Sequence, residues 1–139
     1  MVDEVRIERL LRAVADDLAF LDDESTAGEE RRDDPAWLRG VKYAFVTAIE
    51  AYVDVAQHLC ASEGWGPPST NADAVLVLAR HGVLDPGLAR SVSRVVGFRN
   101  VLVHKYVTVD DTVVLARLED HSDLGGFVEA VAAWVTRDA

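Results

Sequence analysis

Cysteine occurs once, at Cys60, so no disulfide can form within the chain and no cysteine cluster can hold zinc. Lysine is almost missing too, appearing only at Lys42 and Lys105. With 24 acidic residues against 14 basic ones, the formal net charge is −10. That balance argues against a general nucleic-acid coat, because phosphate binding draws on Lys and Arg. Long apolar runs are absent. The stretch from Ala74 to Ala79 is as long as they get, and a membrane-spanning helix needs about 20 such residues. There is no Gly-rich phosphate loop, no Gly-x-Ser-x-Gly and no His-Glu-x-x-His. The start is charged from Asp3 onward and does not read as a signal peptide. A cytoplasmic location is the expectation.

What is present is a chain of 139 residues, half of them apolar. That is enough for one domain over residues 1–139 with a real core, and it excludes a solvated coil. The charge is uneven. Residues 1–34 carry twelve acids against five bases, and residues 107–139 carry seven against two. Residues 80–106 carry only Asp85 against Arg80, Arg90, Arg94, Arg99 and Lys105. A basic segment in an acidic protein suits the approach of an anionic ligand.

The apolar spacing is helical nearly throughout. Ile7, Leu11, Val14, Leu18 and Leu21 form one stripe of a first helix over roughly residues 3–22. Residues 22–34 are polar and contain Gly28, so a flexible connector is expected there, with Asp22, Asp23 and Glu24 solvated. Asp34-Pro35 then starts a long helix that Gly64 to Pro68 stops. Ser69, Thr70 and Asn71 offer caps for a short third helix closed by Gly82. Asp85-Pro86 opens a fourth, an extended or irregular stretch follows around Asp110-Asp111, and Leu124 to Val135 mark a last helix. About five helices joined by short turns predict an all-α, up-and-down bundle. Trp37, Trp65 and Trp134 read as packing anchors, Cys60 as a buried thiol, and His81 and His121 as surface residues.

One position breaks the pattern. Arg99 stands on the apolar stripe of the fourth helix, after Leu88, Val92 and Val95. A guanidinium there needs a carboxylate, such as Glu50 or Asp54 on the second helix, or a cleft that faces an anion. Asn100 and His104 are four apart and share a neighbouring face, and Tyr106 falls in line with Arg99. Such a group suits phosphate chemistry. Histidine transfers protons near neutral pH. Arginine presents planar paired donors to a phosphoryl group. Asparagine can hydrogen-bond and orient the histidine or the ligand, and tyrosine can stack a base or donate a proton.

The phrase Gly97-Phe98-Arg99-Asn100-Val101-Leu102-Val103-His104-Lys105-Tyr106 contains an Arg-x4-His-x-Tyr motif. It resembles the HepT family of toxins in the HEPN superfamily, and the likeness extends over roughly residues 36–137. The resemblance implies a homodimer, or a higher even oligomer, with two motifs facing across a cleft. It implies a metal-independent ribonuclease that needs no cofactor, acting on RNA such as transfer RNA and not on DNA. By matching position, Arg99 and His104 would be catalytic, with Asn100 and Tyr106 in support. Tyr106 would also be the site at which a separate MntA-type nucleotidyltransferase antitoxin adds AMP. Arg90, Arg94 and Lys105 are then candidate RNA contacts. Two other roles fit the residues: an inactive module that docks the nucleotidyltransferase, and a structural oligomer in which Arg99 is buried against an acid.

Overall fold

A computed structural model describes residues 2–103 and 111–138. Within them the chain is all-helical, in seven segments: α1 (Glu4–Ser25), α2 (Glu29–Arg32), α3 (Pro35–Glu63), α4 (Asn71–Arg80), α5 (Pro86–Val103), α6 (Asp111–Glu119) and α7 (Ser122–Asp138).

The boundaries follow local chemistry. Asp3, Asp34 and Thr70 cap α1, α3 and α4 by accepting the backbone N–H of Arg6, Ala36 and Asp73. Helix α3 ends because Gly64 turns left-handed, at φ 69°. This 29-residue helix is the spine. Phe45, Ile49, Tyr52, Val55 and Leu59 are all fully buried along it. Helices α1, α4 and α5 all pack against α3, and α4 and α5 also pack against each other. Helix α7 closes the bundle against α1 and α5. Tyr52 ties the spine to α7: its ring meets Phe127 edge-on at 4.6 Å, and its hydroxyl donates to the Leu124 carbonyl at 2.8 Å. Among the described residues no helix is long and apolar enough to cross a membrane.

Two expectations need correction. The polar stretch over 22–34 is not simply a connector, since α1 continues to Ser25 and residues 29–32 form a helical turn. The reason is Glu24, which is only 3% exposed. Its carboxylate accepts from Arg31 and from Trp37 Nε1, the latter at 2.7 Å, so an acid expected in solvent instead clamps α1 to α2 and α3. Arg32 adds a cation–π contact, 5.0 Å from the Trp37 ring. The stretch expected to be irregular around Asp111 is helix α6 from Asp111 onward, because Val114 and Leu118, four apart, bury fully on one face. These two elements raise the helix count above the expected five.

His121 also differs from expectation. Its side chain is 10% exposed. Nδ1 lies 2.9 Å from the Leu118 carbonyl and Nε2 lies 2.6 Å from Asp22, which joins the end of α1 to the α6–α7 corner. His81 is exposed, as expected, and stacks on Trp65 at 4.2 Å.

Candidate functional site: an arginine cleft between α3, α4 and α5

Helix α5 begins where Asp85 accepts the N–H groups of Gly87 and Leu88, at 3.0 and 3.2 Å. It then runs against α3 in a register fixed by ring packing, with Phe98 meeting Phe45 at 6.0 Å. That register decides which acid Arg99 reaches. Its Nη2 donates to Glu50 Oε1 at 2.8 Å. Asp54, one turn further along α3, lines the same cleft.

Neither partner is sealed in. The Arg99 side chain is 35% exposed and that of Glu50 49%. Both border a cleft of about 680 Å³, with Val53, Asn71 and Asn100 among its other lining residues. The apolar stripe of α5 therefore becomes a cleft wall at Arg99. Among the described residues, Glu50 takes one of the five N–H groups of the Arg99 guanidinium, and a planar anion needs two parallel ones. The cleft also has an opposing feature. Glu50 and Asp54 place two carboxylates beside one guanidinium. The formal charge of its ionisable lining is negative, and one carboxylate is already seated on the arginine.

One contribution was not foreseen in the sequence. Thr70, Asn71 and Ala72 bring the N-terminus of α4 to the cleft rim, and helix N-termini favour negative charge. Gln57 holds Asn71 there through a 3.2 Å hydrogen bond. The Thr70-Asn71 cap is legible in the sequence, but its position beside Arg99 depends on how α4 packs.

The site residues expected from sequence thus separate. Arg99 and Asn100 come together at the cleft. Arg90 and Arg94 are exposed on α5 but do not line it. Arg94 precedes Asn100 by six residues, about 120° around the helix. His104, Lys105 and Tyr106 lie outside the described residues.

The family model described as ribonuclease HepT-like matches residues 6–131, nearly the whole chain. The chain belongs to the HepT-like ribonuclease family. Among its relatives is a candidate RNase from Archaeoglobus fulgidus, 34% identical over 91 residues that cover 66% of this chain and 68% of that one. Another is the "mRNA nuclease HepT" of Shewanella oneidensis, 27% identical over 85 residues, covering 60% of this chain and 64% of the relative. The match thus spans a little under two thirds of the Shewanella nuclease. Among solved structures, the tri-AMPylated Shewanella oneidensis HEPN toxin in complex with its MNT antitoxin superposes with a TM-score of 0.85. That alignment covers 96% of this chain and 99% of the toxin at 22% identity, so this HepT-like chain shares its fold.

Proposed function

We propose that this HepT-like chain is the toxin of a type VII-like toxin–antitoxin pair, a cytoplasmic, metal-independent endoribonuclease restrained by a nucleotidyltransferase antitoxin. The observation that carries the reading is Arg99: aimed by Glu50, open to a cleft, and followed at the right spacing by His104 and Tyr106.

The chemistry needs only these side chains and the RNA. His104 takes the proton of a ribose 2′-hydroxyl. The freed oxygen bonds to the adjacent phosphorus while the bond from phosphorus to the 5′-oxygen breaks. The leaving 5′-oxygen takes a proton from solvent water while His104 returns its own to solvent, and the products end in a 2′,3′-cyclic phosphate and a 5′-hydroxyl. Arg99 holds the phosphoryl oxygens as negative charge grows on them. Asn100, beside it, supplies a further polar contact. Two copies related by a twofold axis would bring two such motifs, with two guanidinium groups and two imidazoles, to one composite site. Arg90, Arg94 and Lys105 then serve as outer phosphate contacts. AMP groups placed on Tyr106 by the antitoxin would add bulk and negative charge to that site.

The purified full chain is expected to cut RNA in EDTA and to leave cyclic-phosphate ends. His104→Ala and Arg99→Ala are expected to abolish cutting while circular dichroism stays unchanged. Messenger and transfer RNA should be tested side by side. Cleavage that survives both substitutions removes the site assignment. Intact mass of protein made with its antitoxin should show AMP additions that Tyr106→Phe eliminates.

A second reading is favoured by one observation, the two carboxylates that face a single arginine. On that reading the chain docks the nucleotidyltransferase without cutting RNA. It predicts a tight complex and an absence of nuclease activity at every salt concentration.

A further inference from the structure

The face of α3 that carries Glu50 and Asp54 continues past the cleft. Two turns towards the start of the helix it presents Tyr43, which is 70% exposed. One turn further stands Arg39, also exposed. At 100° per residue, Tyr43 lies within about 20° of both Glu50 and Asp54, and Arg39 within about 20° of Glu50. The four residues therefore share one stripe. The core beneath needs nothing from the tyrosine, because Val41, Ala44, Phe45 and Ala48 already close it. Lys42, next in sequence, lies about 100° round the helix from Tyr43 and is tied to Asp111 at 3.0 Å, so among the described residues of α3 the cation on this stripe is Arg39.

An aromatic ring and a cation alternating along a surface is the usual arrangement for holding single-stranded nucleic acid. Bases stack on the ring whatever their identity, and the cation takes the backbone. The α3 positions of Tyr43 and Glu50, the residue that holds the Arg99 guanidinium, are about 10 Å apart along the helix axis. Stacked nucleotides rise by roughly 3.4 Å each, so the ring would meet a different nucleotide from the one at Arg99.

We infer that Tyr43 and Arg39 form a base-stacking subsite for single-stranded RNA that extends the Arg99 cleft along α3. The inference rests on the ribonuclease reading above and specifies how the substrate is held beyond the scissile bond. It makes Tyr43 a binding residue and leaves the chemical step to the cleft.

The test uses the full chain carrying His104→Ala, in EDTA, with RNA oligonucleotides in which 2-aminopurine is moved one position at a time. Stacking on Tyr43 should quench the probe at one position. Tyr43→Ala should remove that quenching and raise Kd by roughly ten-fold or more, whereas Tyr43→Phe should preserve both. Arg39→Ala should reduce the slope of log affinity against log salt by about 0.7. Sedimentation of each variant accompanies the titrations. If Tyr43→Ala binds and quenches as the parent does, the inference is overturned while the nuclease reading stands. If Tyr43→Ala instead lowers the oligomeric state, the ring belongs to a contact between copies, and the inference is again overturned. If the parent binds no RNA and the unsubstituted chain cuts none, both readings fall together.

Discussion

Replacing Arg99 with Met separates a structural ion pair from a functional one. Methionine keeps the length and apolar stem of the side chain but removes the charge and every N–H donor. A sealed pair that lost one partner would leave an uncompensated buried carboxylate, at a cost of about 3–5 kcal/mol. Here the Arg99 and Glu50 side chains are 35% and 49% exposed, so Glu50 can turn to water when its partner goes. Exposed pairs contribute only about 0–1 kcal/mol. For a chain of this size that corresponds to a melting shift of no more than about 5 °C, against about 10–20 °C for the sealed case. Cleavage responds on another scale, since removing one donor aimed at developing charge slows reactions by about 10²–10³-fold. Scanning calorimetry and an RNA cleavage assay on the same preparation give both numbers. A melting point lowered by more than 10 °C would show that the pair holds the fold and would refute the argument. Unchanged cleavage would refute it from the other side.

Glu24→Ala should lower stability by about 2–3 kcal/mol in urea titration, because Trp37 Nε1 loses its acceptor inside the clamp; Glu24→Gln, which keeps an acceptor, should lose less. Gly64→Ala should cost about 1 kcal/mol by the same measurement: space for a methyl is open, but φ 69° strains any residue with a Cβ. The Ser69 backbone N–H holds the Asp73 carboxyl below its ordinary 3.8. Its contribution to stability is therefore complete above pH 3.8 and fades as pH falls through the lower folded value. Asp73→Asn should flatten the dependence of melting temperature on pH below about 4, and parallel curves for the two proteins would refute the assignment.

Where a helix is framed by its own neighbours, the sequence can be read directly. Asp34-Pro35 and Gly64 bound α3, and Thr70 starts α4, through contacts within a few residues. Arg99 was conspicuous for the same local reason, a cation on an apolar stripe. What spacing could not resolve depends on partners far along the chain. Glu50 and Asp54 are one turn apart and equally plausible for Arg99, until Phe98 against Phe45 sets the register. Glu24 reads as one acid among many, since only the approach of Trp37 makes burial tolerable. His121 and Asp22 are 99 residues apart in sequence, which no local pattern signals. Helix α6 was hidden by β-branched residues, whose preference for extended structure gives way to the burial of Val114 and Leu118.

The carboxylate of Glu50 is a resident competitor. Being covalently attached, it occupies Arg99 as though present at high local concentration, whatever the buffer contains. A small monovalent anion offers the guanidinium little that Glu50 does not already provide. A polyanion that also grips the protein elsewhere gains several contacts for the one it displaces. Because the pair is exposed and individually weak, the tethered acid tilts the balance towards ligands that make several contacts at once.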